Sequence, residues 1–397
     1  MEPAPNILPT RLRQLRQARG LSLEALATAM GGVVTKQALS KYQRGEDFPS
    51  LRVLSALAPA LGVKVVDLCR APSVGVEILA FRKTSQLGRR EQARVEGQVT
   101  RMLEERGRLQ ELTQQGDRGT IPIHSLLVSS LAGAESAADA LRQRWELGTD
   151  PIASVVDALE DHQVHVLEID AGERFDGLAA VARRADGSVA AAAVVCRRGL
   201  SHARQRLNLA HELGHLALAP APDVDPEKAA FRFAGAFLAP ARTLLREVGV
   251  RRSTIGLDEL LLQKRRHGMS LQALLYRLRD LEVITETHAR QWWQTISARG
   301  WKKQEPEELP PEEAHWLRQT VLRAFSEGLL TATELASLTG ETVEEAPSLP
   351  LARRRAFLRL PSEERRRILE SHATALKAHY DADSEWRTET GGDVLDG

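Results

Sequence analysis

Apolar residues recur at helical spacing near the start of the chain: Leu12 and Leu15, then Leu23, Leu26, Ala27 and Met30, then Leu39 and Tyr42, then Leu51, Leu54, Leu57 and Leu61. Steps of three and four place these side chains on one face each of four short helices between 9 and about 70. Ser22 and Thr35 stand where N-caps belong, Gly31-Gly32 ends the second helix, and Pro49-Ser50 opens the fourth. From 88 to 118 the chain is charged, with Val95, Val99, Met102, Leu103, Leu109 and Leu112 as its apolar positions, which predicts a connecting helix broken at Gln114–Gly119.

The texture changes from about 130. Ala137–Trp145 and Ile152–His162 are amphipathic helices by pattern. Val164–Ile169, Leu178–Ala182 and Val189–Cys196 are short β-prone runs, the last two joined by the hairpin dipeptide Asp186-Gly187. Helical patterns return over 200–218, 225–238, 256–266 and 270–280, and a helical tail continues to about 380 before a final dozen residues of disordered character. Helices before and after a small antiparallel sheet describe an α+β domain. The expected fold is mainly α: an all-α N-terminal domain over 8–72, a helical connector over 73–130, an α+β domain over 131–300, and a helical C-terminal region over 301–397.

Composition narrows the class. The 397 residues are 43% hydrophobic and 27% charged with a net charge of +1, an ordinary globular balance, so any nucleic-acid surface has to be local. Residues 1–72 supply one, with ten Lys/Arg against five Asp/Glu. Two distant cysteines, Cys69 and Cys196, make neither a disulfide framework nor a thiolate metal site. The N-terminal MEPAPNILPTRLRQLR lacks the apolar stretch of a signal peptide, and no apolar run approaches the roughly 18 residues of a membrane span, so the expected location is the cytoplasm.

The sharpest chemical signal is His211-Glu212-Leu213-Gly214-His215, a His-Glu-x-x-His pattern. On a helix, positions i and i+4 share a face, so both imidazoles reach one ion, and the Glu at i+1 sits beside that face to polarise water. Leu207, Leu209, Ala210, Leu213, Leu216, Ala217 and Leu218 continue the helix, and nothing breaks it before Pro220. Three fixed residues occur by chance in about one chain in a hundred of this length, so a third ligand matters. Asp223, Asp225 and Glu227 are candidates; Glu227 is favoured because it lies in the first turn of the next helix, on a rigid element.

Leu23–Gln43 has the form of a helix-turn-helix, whose second helix enters the major groove. Thr35, Lys36, Gln37, Ser40, Lys41 and Arg44 form its polar side, with Gln suited to adenine and Lys and Ser to phosphates or bases, while Ala38, Leu39 and Tyr42 face inward.

These residues carry two resemblances. The segment from RLRQLRQARG to ALGV resembles the XRE, lambda-repressor/Cro-like, DNA-binding domain, with a turn at Gly31–Val34 about two residues longer than its shortest form. The stretch from about 137 to 301 is similar to the ImmA/IrrE family of zinc metallo-endopeptidases in LRQRWELGTDPI, in Phe175-Asp176-Gly177, in RLNLAHELGHLAL and in EKAAFRFAGAFLAP. KRRHGMSLQALLYRLRDLEVI and ISARGWKKQEP are similar to the helical end of members with an N-terminal XRE domain.

The resemblance implies a Zn2+ site with His211 and His215 as ligands and Glu212 as general base. The family's second motif, Glu-x-x-Ala-x-x-Phe-Ala, falls on Glu227, Ala230, Phe233 and Ala234 and makes Glu227 the third ligand. One departure stands out: Phe231 occupies a position where many members carry Asn or Asp to support the site.

The implied function is a regulator that binds double-stranded operator DNA, with a homodimer as the default for its class, and cleaves a protein partner such as a repressor or antitoxin. The alternative is an XRE transcription factor whose metallopeptidase-like domain senses a ligand or dimerises without significant proteolysis; a third reading is an antitoxin-like DNA-binding partner of a toxin. An oxyanion donor is expected but has no sequence signature. Tyr276 and His267 read as a core tyrosine and a solvated histidine.

Overall fold

The computed structural model describes residues 7–69, 74–83, 88–113, 121–342, 364–367 and 369–370, which fall into two compact units, one up to Leu317 and one from Arg318. Most of the expected helical tail beyond 342, and the expected break at Gln114–Gly119, lie outside the described residues. Among the described residues no helix is long and apolar enough to cross a membrane.

The first unit begins with α1 (Ile7–Ala18), α2 (Leu23–Ala29), α3 (Lys36–Arg44), α4 (Leu51–Leu61) and α5 (Val65–Cys69). Caps fix three of the starts: Ser22, Thr35 and Ser50 accept from the backbone N–H groups of Ala25, Ala38 and Val53. Gly31 and Gly32 both take positive φ, 66° and 73°, which builds the long turn between α2 and α3 without Cβ strain. Leu12, Leu26, Leu39, Leu57 and Leu61 are fully buried between these helices, giving the domain its own core.

The segment expected to be a helical connector carries a strand, β1 (Gly75–Lys83), before its helix α6 (Arg89–Leu112). After β2 (Leu126–Val128), α7 (Gly133–Arg144) and α8 (Val155–Asp161) come β3 (Val164–Ile169), β4 (Phe175–Arg183) and β5 (Val189–Arg197). The sheet order is β1-β4-β5-β3. β1 and β5 flank β4 antiparallel, but β3 runs parallel to β5, so the sheet is mixed rather than antiparallel.

Both faces of this sheet are covered, which explains its near-continuous apolar strands. Ala192, Val194 and Cys196 of β5 face the core that contains α9 (His202–Ala217), whereas Ala191, Ala193 and Val195 face the core of α6. The other side of α6 carries the N-terminal domain: Gly97 meets the Ala18 backbone so closely that a Cβ would lie 2.8 Å from Ala18 N, and Glu104 forms a largely buried ion pair with Arg11 of α1.

α9 leads into β6 (Leu218–Pro220), which pairs in parallel with β2, and then into α10 (Pro226–Leu238), α11 (Ala241–Val248), α12 (Leu257–His267), α13 (Leu271–Asp280) and α14 (Glu286–Ala298). Residues 302–315 form an irregular strap tied to α9. The Glu312 carboxylate pairs with buried Arg206 and accepts from the Val156 N–H at 2.8 Å, while the Glu312 backbone N–H donates to Gln205 at 2.8 Å. α15 (Trp316–Ser326) follows. The second unit holds the rest of α15 and α16 (Ala332–Thr339), the latter opened by a Thr331/Glu334 capping box.

His165 on β3 is buried with its ring 4.3 Å from that of Trp316, and neither ring nitrogen has a hydrogen-bond partner among the described residues. Burial, with a smaller contribution from the Arg106 guanidinium, holds its pKa well below 6.5. Below pH 6.5 the unfolded chain therefore takes up a proton that the folded chain refuses. Stability falls as pH drops through that window, by up to about 1.4 kcal/mol per pH unit for one such group. His165→Leu is expected to make the acid limb of the first unit's stability shallower between pH 6.5 and 5, measured by urea unfolding; parallel limbs in the two proteins would refute this.

Candidate metal centre

α9 is buried on almost every side, so its polar residues are placed by packing rather than by solvent. His211 is fully buried and His215 lies one turn on. Their Nε2 atoms stand 3.0 Å apart. Glu227 completes the group, one carboxylate oxygen 3.3 Å from His211 Nε2 and the other 3.3 Å from His215 Nε2. Donor atoms about 2.0–2.1 Å from one zinc ion lie about 3.3–3.4 Å apart, and the observed spacings of 3.0, 3.3 and 3.3 Å are close to that, so His211, His215 and Glu227 would suit one such ion. Glu227 is about half exposed and gives the site its opening to solvent.

Two local devices bring Glu227 there. Asp225, itself a candidate ligand by sequence, is the N-cap of α10: its carboxylate accepts from the Glu227 and Lys228 N–H groups at 3.0 and 3.2 Å. Pro226 follows at the first helical turn, where its missing N–H costs nothing. The second device is Gly214, where a Cβ would lie 3.1 Å from Ala230 Cα. The small pair lets α9 and α10 approach closely enough for Glu227 to reach the histidines. Asp223 is exposed and takes no part in the group.

Glu212 is 1% exposed. Its carboxylate packs against Gly177 of β4, where a Cβ would lie 2.5 Å from Oε1. The three residues Phe175-Asp176-Gly177 therefore have separable tasks. Phe175 fills the sheet core, Asp176 pairs with Arg204 at 2.7 Å and its carbonyl accepts from the Asn208 amide at 3.2 Å, and Gly177 leaves room for Glu212. Cys196 lies on β5 close to this carboxylate, and burial, reinforced by Glu168 and Glu212, pushes its thiol up to about 12, which keeps it out of thiolate chemistry.

Phe231 lays its ring against His211, centroids 4.2 Å apart, and remains 40% exposed. It is also the divide between two cavities. One, of about 260 Å³, has mixed walls that include Asp176, Arg204, Asn208 and Lys264 together with Trp301 and Leu309. The other, of about 750 Å³, is mainly apolar and includes Met269, Ala273 and Tyr276; Leu207, Phe231, Ser270 and Gln272 line both. The expectations for Tyr276 and His267 are reversed. Tyr276 is 42% exposed on the apolar cavity, whereas His267 is fully buried with Nε2 3.0 Å from Glu247, a partner twenty positions away that spacing does not reveal.

On α3, Thr35, Lys36, Gln37, Lys41 and Arg44 are exposed and Ser40 is half-buried, while Leu39 and Tyr42 are buried. The Thr35 hydroxyl is occupied as the N-cap, Lys36 pairs with Glu24 at 2.9 Å, and Arg44 reaches Glu46 at 2.7 Å and the Ser40 hydroxyl. Exposed pairs of this kind are weak and screened by salt, so a phosphate can displace them.

Residues 12–68 match the helix-turn-helix family and residues 159–279 match the peptidase M78 family, described as the IrrE N-terminal-like domain. The chain is thus a helix-turn-helix transcription-regulator domain joined to an IrrE/ImmA-like metallopeptidase-type domain. Among curated proteins it is similar to the HTH-type transcriptional regulator DdrOP3 of Deinococcus deserti, 45% identical over 58 residues, or 15% of this chain and 43% of that protein. The match thus spans less than half of that relative and falls in the DNA-binding domain.

Proposed function

We propose that the protein is a DNA-binding transcriptional regulator whose second domain is a zinc endopeptidase acting on a partner protein such as a repressor or antitoxin. The observation that carries the reading is the convergence of His211, His215 and Glu227 with the buried Glu212 carboxylate beside them. A zinc ion held by the three ligands supplies a Lewis acid that lowers the pKa of water and polarises a carbonyl. Glu212 takes the proton from the attacking water and returns it to the leaving amine nitrogen. The packed walls around Glu212 exclude competing solvent and hold its carboxylate in place. Domain boundaries at 8–72, 73–130, 131–300 and 301–397 remain part of this proposal, with β1 of the second segment completing the sheet of the third.

The non-proteolytic alternative, a sensor or dimerisation module, draws on Phe231, which sets an apolar ring against His211 at the position where the resemblance implies Asn or Asp. Digestion of a random peptide library by the zinc-loaded full chain separates the two. Cleavage that needs zinc supports the peptidase, and a zinc-bound protein that cuts nothing supports the alternative.

DNA binding is assigned to α3, with a homodimer on a two-fold site as the working arrangement. Lys36→Ala with Gln37→Ala is expected to lower affinity for the protein's own promoter DNA about tenfold and to reduce the salt slope by about one unit, read by fluorescence anisotropy across a KCl series. Unchanged affinity and slope would remove α3 from the interface.

A further inference from the structure

We propose that the apolar cavity beside Phe231 is the specificity pocket of the peptidase and receives a bulky uncharged side chain, of the Leu, Met or Phe kind, next to the bond that is cut. The proposal rests on the peptidase reading and adds what the substrate must present.

Position comes first. Leu207 lies on α9 one turn before His211, and Phe231, one turn after Glu227 on α10, rests its ring on the His211 imidazole, so two of the cavity's walls adjoin the ligand group, although the ligands themselves do not line it. A substrate whose carbonyl lies over them has a neighbouring side chain within reach of this cavity.

The walls set the chemistry. Leu131, Phe231 and Tyr276 are 43%, 40% and 42% exposed, and all three line the cavity with Met269 and Ala273. Large apolar groups that converge on one concave surface mark a binding site more often than groups scattered singly. A volume of about 750 Å³ is within the range of small-molecule pockets and accommodates the largest apolar side chains.

Most of the charges at the rim are already engaged; the exception is Lys228, exposed and 3.8 Å from Asp225. Glu135 accepts from Arg277 at 2.7 Å and from Arg232 at 2.9 Å, and Asp280 accepts from Arg279 at 2.9 Å. The Arg279 guanidinium also lies over the Tyr276 ring, 4.9 Å from its centroid. A charged substrate side chain would have to break one of these pairs, and a polar one would lose water with little in return. The smaller cavity includes the charged residues Asp176, Arg204 and Lys264 and is divided more evenly between polar and apolar surface, so the larger one is the more apolar of the two.

The test uses zinc-chelating hydroxamates on the zinc-loaded full chain. Acetohydroxamate reports the ion alone. N-acetyl-leucine hydroxamate and isobutylmalonyl hydroxamate carry the same isobutyl group next to the hydroxamate but extend from it with the peptide direction reversed. One of the two is expected to bind at least tenfold more tightly than acetohydroxamate, because burying a leucine side chain supplies at least that factor. The aspartate hydroxamate gains nothing. Ala273→Phe, which narrows the cavity, and Tyr276→Ala, which removes a half-exposed wall, each erase the gain and leave acetohydroxamate binding unchanged. If neither isobutyl compound exceeds acetohydroxamate, or if both variants keep the preference, the pocket is refuted and the zinc site stands. If no hydroxamate binds, the zinc site is refuted and the pocket with it.

Discussion

Glu212→Gln is expected to keep one equivalent of zinc and to lose peptide cleavage by a factor of roughly 10²–10⁴, the usual contribution of a positioned general base. The substitution is nearly isosteric, which matters because Glu212 is 1% exposed and packed against Gly177. An amide occupies the same space but accepts no proton from water. His211→Ala gives the complementary result: the zinc content of the purified protein falls to background, and cleavage falls with it. Together the two variants separate holding the ion from moving the proton. Elemental analysis measures the first and hydrolysis of a library-derived peptide measures the second. A Glu212→Gln protein that cuts at the wild-type rate would require another base, and none of the expected site residues is left to serve as one. A His211→Ala protein that keeps its zinc would place the ion elsewhere.

What the sequence disclosed follows from how local each feature is. The helix of His211 and His215 was legible because its spacing, its apolar neighbours and its end before Pro220 are all written within twenty residues. The β4–β5 hairpin was legible for the same reason, since Asp186-Gly187 supplies the turn and Gly187 takes the positive φ of 82° that the turn requires. β3 is different. Its run of Val164–Ile169 announces a strand but says nothing of its partner, and the parallel pairing with β5 is decided by tertiary packing.

β1 was missed although Glu77 is the one charge among its apolar residues before Arg82-Lys83, because the run is short, adjoins the charged stretch that begins at 88 and reads together with that helix as one connector. Its partner lies about a hundred positions downstream. Among the site residues, Glu227 could be singled out by its place in the first helical turn, and the structure brings it to the two histidines. The use of Asp225 as a cap was visible in principle, because Asp-Pro-Glu is a helix-start pattern. The apolar cavity was not visible. Leu131, Leu207, Phe231 and the pair Met269 and Tyr276 come from four separate stretches of chain, and no periodicity links one stretch to another.

Gly177→Ala tests how finely the carboxylate is positioned. In isolation, alanine in a strand is favoured over glycine by about 0.5–1 kcal/mol, so the change has no inherent conformational penalty. The added methyl, however, would stand 2.5 Å from Glu212 Oε1, 3.0 Å from its Cδ and 3.0 Å from the Val195 carbonyl oxygen. β4 cannot retreat, because β1 and β5 hold it on both sides. The carboxylate has to move instead, by about 1 Å, and overpacking of this kind typically costs about 1–3 kcal/mol. The net loss of stability is therefore small, about 0–2.5 kcal/mol.

Catalysis is more sensitive: a displacement of about 1 Å lowers turnover on the order of 10²-fold. The three atoms nearest the methyl belong to Glu212 and Val195 rather than to His211, His215 or Glu227, so zinc is expected to be retained. The expected protein is folded, zinc-loaded and nearly inactive, with kcat reduced more than KM is raised. Melting temperature, zinc content and steady-state kinetics on one peptide suffice to check it. Wild-type kcat in Gly177→Ala would mean that the contact between β4 and Glu212 does not position the base.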